Sequence, residues 1–280
     1  MNELDINNPQ LPDFIVPGAD EKKQDEPAKI KVIGVGGGGG NAVNHMYHQG
    51  IGGVSFVLCN TDAQALRNSP VPVKVQLGAK GEGAGNIPEV AKKLAEESAA
   101  EVEALFDDNT RMAFITAGMG GGTGTGAAPV VARIAKEKGV LTVGIVTIPF
   151  LFEGEPKILQ AFAGVEEMRK HVDALLVINN ERLCKIYPDL SWTTAFAKAD
   201  DSLSNAARSI AELVSKDGKI NLDFADVRTT LKDGGAAVIS TGSGEGEHRM
   251  SRAIQNALTS PLLKESDIYG AERVLFNLYF

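Results

Sequence analysis

The sequence predicts an α/β fold in which a parallel sheet is covered by helices on both faces. Short apolar runs of strand length alternate with helix-length segments, and the runs are almost continuously apolar rather than alternating. Three glycine-rich segments, at 34–41, 81–86 and 118–126, precede helical patterns and fall where strands are expected to end. The 280 residues suffice for one large or two modest domains.

The predicted elements start at residue 29, because residues 1–28 are polar and are predicted to form a disordered tail. Strands are predicted at 29–36, 54–60, 72–78, 112–116, 141–150 and 173–180, each an apolar run bounded by turn residues. Helices are predicted at 40–50, 88–106, 127–138 and 156–170, with a helix start within 61–69. Pro88 suits a first helical turn, with Asn86 as its cap.

A second unit is predicted after a first domain of residues 29–199. Residues 200–220 form a predicted central helix, since Leu203, Ala207 and Ile210 recur along one stripe. Residues 221–280 follow as a partial α+β domain, with a strand at 236–241, a helix at 250–260 and a strand at 272–280. Because an apolar edge strand is a poor place to finish a domain, we expect this domain to be truncated.

Composition and charge argue against several classes of protein. The net charge is −8 and no basic block occurs, so a nucleic-acid partner is not expected. The N-terminus lacks the pattern of a signal peptide, and no apolar run reaches membrane-spanning length. Only two cysteines are present, which is typical of a reducing compartment. We therefore expect a cytoplasmic protein without direct membrane insertion.

The glycine-rich segments indicate a phosphate site. Residues 118–127 read GMGGGTGTGA between an apolar run and a helical pattern, whereas a flexible linker would lie in polar sequence. A strand-to-helix junction presents free N–H groups at the positive end of a helix dipole. Gly34, Gly36 and Gly39 also match the dinucleotide fingerprint, with Asp62 spaced for a ribose contact, so an NAD(P)-dependent oxidoreductase stays open as an alternative. No Walker-type phosphate loop occurs.

Five motifs in order carry a resemblance to a known family. GVGGGGGNAVN, CNTDAQAL (59–66), GMGGGTGTGAAPVVA (118–132), PFLFEG (149–154) and NLDFADVRTTL (221–231) resemble FtsZ proteins, the bacterial cell-division GTPases of the tubulin superfamily. The resemblance covers about residues 30–280 and implies a Rossmann-like GTP-binding domain, GTP and GDP as ligands, and Mg²⁺ bridging phosphate oxygens.

The resemblance also implies the ligand contacts. Backbone amides would hold the phosphates, from Gly36, Gly37, Gly38, Gly39, Gly40, Asn41, Gly83, Ala84, Gly85, Asn86, Gly120, Gly121, Gly122, Thr123, Gly124, Thr125 and Gly126. The other matching side chains would lie near the phosphates and metal (Asn60, Asp62), the ribose (Glu153, with Lys157) and the guanine base (Asn180, Phe196, Asp200). A carboxylate that accepts from guanine would be left unpaired by adenine, so ATP should be rejected.

Asp223 and Asp226 carry two interpretations. Two carboxylates three residues apart at a helix start are by default a capping pair. The resemblance implies instead that they orient or deprotonate the attacking water, and that their loop, with Asn221, reaches the nucleotide of the next subunit. Head-to-tail association of this kind does not close and builds a filament. A filament protein that binds GTP without hydrolysing it is the remaining alternative.

Some positions depart from the family pattern. Ile148 stands where a basic residue is usual, and Lys157 where arginine is frequent, so a phosphate or ribose contact would lack a bidentate fork. The resemblance places such a protein at the midcell division ring. Other division proteins would bind through a C-terminal tail that lies beyond this sequence.

Overall fold

The structure, a computed structural model, describes residues 29–186, 189, 191–215, 223–259 and 270–276. The predicted tail of residues 1–28 and Asn221 therefore lie outside the described residues. Within them, seven strands form one sheet: β1 (Lys29–Val35), β2 (Val54–Asn60), β3 (Val73–Gln76), β4 (Thr110–Gly118), β5 (Leu141–Ile148), β6 (Ala174–Asn179) and β7 (Gly235–Ala237).

The sheet has the order β3-β2-β1-β4-β5-β6-β7, and all its pairings are parallel. The chain moves outward from β1 in one direction and from β4 in the other. In sheets of this kind, ligands bind outside the carboxyl ends of the strands where the order reverses. The predicted parallel sheet is thus confirmed, and its switch point between β1 and β4 marks the place for a site.

Helices cover both faces of the sheet. They are α1 (Gly36–His48), α2 (Ala63–Arg67), α3 (Pro88–Glu97), α4 (Ala99–Ala104), α5 (Gly122–Glu137), α6 (Glu155–Arg169), α7 (Glu181–Ile186), α8 (Trp192–Ser215), α9 (Phe224–Leu231) and α10 (Arg249–Leu258). Residues of α3 to α6 form one apolar cluster with the sheet, and residues of α1, α2, α8 and α9 form another. Phe114 and Ile115, successive residues of β4, are both fully buried in opposite clusters, which explains the continuous apolar strands.

Two predicted glycine loops are largely the first turns of helices. Helix α1 begins at Gly36 rather than at residue 40, and α5 begins at Gly122 rather than at 127. A Cβ on Gly39 would lie 2.2 Å from the Thr116 carbonyl oxygen, and one on Gly124 would lie 2.3 Å from that of Gly118. Close contact between helix and strand backbones therefore overrides the poor helix propensity of glycine.

Two helix boundaries also differ from prediction. The predicted helix 88–106 is interrupted at Ser98, whose hydroxyl accepts from the Gly78 N–H at 2.9 Å. The prediction that Asn86 caps it was wrong, because Asn86 adopts φ +62° and Ile87 occupies the cap position. Helix α8 begins eight residues before residue 200, where the Ser191 hydroxyl accepts from the Thr194 N–H at 3.3 Å.

The predicted stripe on the central helix is confirmed, since Leu203, Ala207 and Ile210 are buried against the sheet. The predicted strand at 236–241 is shorter than expected and, as β7, pairs with β6 of the main sheet. Residues 272–276, the described part of the predicted last strand, have no strand conformation. Among the residues described, no helix is long and apolar enough to cross a membrane.

Candidate nucleotide-binding site

The three glycine segments meet at the carboxyl edge of the sheet. Gly36 follows β1 with φ +74°, and a Cβ there would lie 2.8 Å from the Gly124 backbone nitrogen of α5. A Cβ on Gly122 would lie 3.0 Å from the Cα of Asn86, in the glycine segment 81–86. The structure thus brings these segments together at the switch point, although Gly36 and Gly124 are 88 positions apart along the chain.

Hydrogen bonds tie the loop after β2 to the same edge. The Thr61 and Thr123 hydroxyls lie 2.7 Å apart and join this loop to the start of α5. The Ala63 N–H donates to the Gly81 carbonyl and the Gly83 N–H to the Thr61 carbonyl, both at 3.0 Å. These contacts place Asn60 and Asp62 beside the glycine segments.

The predicted phosphate-binding residues fall into two groups. In one, a Cβ would lie within 3.0 Å of other atoms, so the missing side chain serves close packing: Gly36, Gly39, Gly120, Gly122, Gly124 and Gly126. In the other, a Cβ would meet no atom nearer than 3.9 Å, and the backbone borders open space: Gly37, Gly40, Gly83, Gly85 and Gly121. Gly38 lies between these groups, with the Gly118 Cα 3.1 Å from its ideal Cβ.

The electrostatics of this edge favour an anion. Helices α1 and α5 both begin here, and their first N–H groups have no acceptor within the helix. Neither helix has an acidic residue in its first turn. Two converging helix N-termini with open glycine backbone are suited to an anion such as phosphate.

Few side chains near this edge could coordinate a metal ion. Asp62 caps α2 by accepting from the Gln64 N–H at 2.7 Å and the Ala65 N–H at 3.3 Å. The Asn60 side-chain oxygen accepts from the Asp62 N–H at 3.2 Å. Within the described ranges no group of three His, Cys, Asp or Glu side chains could hold a metal ion. One or two oxygens fit Mg²⁺, which takes its other ligands from phosphates and water.

An aromatic cluster lies beside the ends of β5 and β6. The Phe150 and Phe152 rings stack at 4.9 Å between centroids, and the Phe196 ring meets Phe150 edge-on at 5.3 Å. Phe196 stays 42% exposed. Phe196, which was predicted to pack on a purine, is thus held by Phe150 and still exposes part of its ring to solvent.

Two side chains that can accept hydrogen bonds, Asn180 and Asp200, lie near this cluster. Asn180 is 5% exposed, and its side-chain oxygen has no hydrogen-bond partner in the described structure. A buried acceptor without a donor is costly, so a ligand N–H would stabilise it. Burial, and secondly the charge of Asp201, raises the pKa of Asp200 to about 6. Both groups are acceptors, which matches the imino and amino donors of guanine.

Glu153 and Lys157 lie on the same side of the edge. Glu153 accepts from the Phe150 N–H at 3.0 Å and lies 3.4 Å from the Lys157 ammonium. Ile148, at the position where the family usually has a basic residue, is buried at the end of β5. The basic side chain near the end of β5 is therefore Lys157 of α6, because Ile148 carries no charge.

Comparison with known proteins agrees with this geometry. A family model described as "Tubulin/FtsZ family, GTPase domain" matches residues 29–188, more than half of the chain. The chain belongs to the tubulin/FtsZ family. A second model, "FtsZ family, C-terminal domain", matches residues 235–279.

Individual FtsZ proteins are similar over most of the chain. Cell division protein FtsZ of Porphyromonas gingivalis is 66% identical over 257 residues, 90% of this chain and 56% of that protein. The Wigglesworthia glossinidia brevipalpis protein of the same name is 48% identical over 255 residues, 90% of this chain and 66% of that protein. The chain thus spans 56 to 66% of the length of these two curated relatives.

A solved FtsZ structure has the same fold. The structure titled "FtsZ dimer, empty", from M. jannaschii, matches with a TM-score of 0.81 and 45% sequence identity. The match covers 86% of this chain and 71% of that one. The Rossmann-like α/β fold predicted from the sequence is confirmed.

Asp223 and Asp226, in the FtsZ-like segment 221–231, do not lie at the carboxyl edge of the sheet, where the glycine segments meet. Asp223 is the cap of α9, and its carboxylate accepts from the Asp226 N–H at 2.9 Å. Phe224, the next residue, lies under the Arg111 guanidinium, whose central carbon is 4.2 Å from the ring centroid. Arg111 is the second residue of β4, whereas the glycine segment begins at Gly118, the last residue of that strand. The structure therefore separates Asp223 and Asp226 from the predicted phosphate contacts.

Some residues at the FtsZ-like site were missed by sequence reasoning. Gln160 of α6 donates from its side-chain amide to the carbonyls of Gly120 and Gly121. Thr61, already described, anchors the loop after β2. Thr61 directly follows an apolar strand, a signal that could have marked it. A lone glutamine inside a helix carries no such signal, because only the packing of α6 brings it to the glycine segment.

Proposed function

We propose that the protein is a GTP-dependent, self-assembling GTPase of bacterial cell division. GTP binds at the carboxyl edge of the sheet, with its phosphates at the starts of α1 and α5 and its base beside Phe196, Asn180 and Asp200. Head-to-tail association builds filaments, and water then converts GTP to GDP and phosphate at the junction. When bound, Mg²⁺ would be held by Asn60 and Asp62 and would neutralise phosphate charge.

A single observation supports hydrolysis between subunits: the acids and the phosphate site lie at opposite edges of one sheet. Gly118 lies seven positions after Arg111 along the extended strand, a rise of about 23 Å. Asp223, beside the Arg111–Phe224 contact, is therefore too far from the glycine segments of its own chain. In a head-to-tail filament the amino edge of one copy faces the carboxyl edge of the next.

The exposed carboxylates suit such a role. Asp223 uses one oxygen for the helix cap, and both Asp223 and Asp226 are exposed to solvent. At a junction they would face the terminal phosphate of the neighbouring copy and orient or deprotonate the attacking water. Asn221 would approach with them, as the FtsZ resemblance implies.

The experiment mixes two inactive variants of the full chain and measures phosphate release. Asp223→Asn removes the acid but keeps a capping side chain. Gly37→Asp places a carboxylate in the open phosphate space, where a Cβ meets no atom within 4 Å. If the site lies between copies, mixed junctions pair an intact glycine edge with an intact Asp223, and activity returns.

The matched control mixes each variant with a chain that carries both substitutions, which leaves no intact junction. Recovery only in the first mixture supports the interface mechanism, and no recovery in either counts against it. Tight GTP binding and filaments without phosphate release by the wild type would favour the non-hydrolysing alternative. Saturable NAD(H) binding without GTP binding would favour the oxidoreductase.

A further inference from the structure

We infer that Gln160 is a positioning residue of the phosphate site, whose side-chain amide sets the direction of two backbone N–H groups. The inference rests on the proposed function, because those N–H groups are proposed to bind phosphate. The amide nitrogen of Gln160 donates to the Gly120 carbonyl at 3.0 Å and to the Gly121 carbonyl at 3.2 Å. A primary amide has two N–H donors, so it can bind both carbonyls at once.

Peptide geometry converts these two contacts into an orientation of donors. In a planar trans peptide, the C=O of one residue and the N–H of the next point in opposite directions. Gln160 holds the carbonyls of Gly120 and Gly121 toward α6, so the N–H groups of Gly121 and Gly122 are directed away from it. Gly122 is the first residue of α5, where N–H groups have no acceptor within the helix. Two consecutive donors are thus presented at the positive end of this helix.

The glycine segment needs an external contact because its own residues restrain it weakly. Gly120 has φ +98°, a conformation that glycine adopts freely, and a Cβ on Gly121 would meet no atom nearer than 3.9 Å. The Gly120 N–H is held by the Thr125 hydroxyl at 2.9 Å. Gln160 then fixes the two carbonyls that follow.

The packing of α6 dictates where the Gln160 amide reaches. Lys157, Gln160 and Gly164 recur at helical spacing along one stripe of α6. A Cβ on Gly120 would lie 2.8 Å from the Lys157 carbonyl oxygen, and one on Gly164 would lie 2.6 Å from the Thr125 methyl carbon. Helix α6 therefore touches the glycine segment and α5 on both sides of Gln160, which leaves its side chain little choice of position.

This role concerns the phosphates and leaves the base contacts of Asn180 and Asp200 intact. Removal of the donors should weaken binding of GTP more than binding of GMP, which lacks the outer phosphates. Gln160→Met keeps the side-chain length and deletes both donors. Gln160→Glu keeps the shape and places oxygens against two carbonyls. Gln255→Met, at an exposed position of α10, is the matched control.

The test measures GTP and GMP affinities of the full chain by calorimetric titration, with GMP also by competition. We expect Gln160→Met to lower GTP affinity about tenfold and Gln160→Glu to lower it further, with about twofold or less for GMP. Gln255→Met should match the wild type for both nucleotides. Should Gln160→Met not fold, Gln160→Glu decides by the same comparison.

Unchanged GTP affinity in Gln160→Met overturns the inference, and so does an equal loss for GMP and GTP, which would indicate general damage to the site. A wild-type chain that binds neither nucleotide overturns the proposed function itself. Wild-type binding with an unaffected variant removes only the role of Gln160.

Discussion

The imidazole of His45 lies 2.9 Å from the carboxylate of Asp201. His45 belongs to α1, whose start lies at the phosphate edge, and Asp201 follows the proposed base-reading residue Asp200 on α8. The other Asp201 oxygen lies 3.2 Å from the Lys198 ammonium. This contact thus joins the helix proposed to bind phosphate to the helix proposed to bind the base.

We expect Asp201→Asn to have a small effect on stability and a measurable effect on binding. Both partners are partly exposed, and such pairs contribute about 0–1 kcal/mol to the free energy of unfolding. GTP affinity should fall by no more than about fivefold, since one link between α1 and α8 is lost. Denaturant unfolding and GTP titration check both quantities, with Glu166→Gln on the exposed face of α6 as the control. A loss of several kcal/mol would show that the pair is more important to the fold than its exposure indicates.

The raised pKa of Asp200, about 6, predicts how GTP binding depends on pH. Guanine donors need the ionised carboxylate, so GTP affinity should fall as the pH drops through 6, by up to about tenfold per pH unit. Titrations at several pH values check this, and Asp200→Asn is the control, because its own pH dependence comes from the nucleotide and from other groups. An identical pH dependence in wild type and Asp200→Asn would contradict the role of Asp200.

Stability should depend on pH in the opposite sense for the same residue. The pKa of Asp200 in the folded protein is raised above its ordinary value of 3.8. Its contribution to stability is therefore fully present below about pH 4 and is lost as the pH rises through about 6. Asp201→Asn should lower the pKa of Asp200, since the Asp201 charge is its second cause. Unfolding free energies of wild type and Asp200→Asn over this range test the sign.

Two neighbouring glycines should respond differently to alanine. A Cβ on Gly39 would lie 2.2 Å from the Thr116 carbonyl oxygen, so Gly39→Ala should lower the free energy of unfolding by about 2 kcal/mol or more. A Cβ on Gly37 meets nothing within 4 Å, and Gly37→Ala should raise it by about 0.5 kcal/mol. Thermal and denaturant unfolding of the two variants provide the comparison. Equal stability would show that α1 can shift away from β4.

Asp223 can be tested for capping and for hydrolysis separately. Asp223→Asn keeps a capping acceptor for the Asp226 N–H, whereas Asp223→Ala removes it and should cost about 1 kcal/mol of stability. If Asp223 acts on water, both variants lose phosphate release although only alanine lowers stability. Retained turnover in Asp223→Asn would restrict this residue to the helix cap.

The pattern of the chain was sufficient to predict the sheet, because apolar strands buried on two faces leave a continuous signal, as in Phe114 and Ile115. It also predicted a phosphate site from glycine segments at strand ends. Helix boundaries were less predictable: Asp200 resembles a helix start but lies in the middle of α8, and glycines 36–40 look like a loop but form the first turns of α1. In each case tertiary packing outweighs local propensity.

The sequence by itself determined which residue types are present: open backbone for an anion, acceptors for a base, and a pair of acids. Only the tertiary structure decided where they lie relative to one another. It divides the glycines into those that pack and those that border open space, brings Gln160 to the segment after β4, and holds Asp223 at the opposite edge. Such placements depend on the contacts of parallel strands and their crossover helices, which join residues far apart in the chain and leave no local pattern in it.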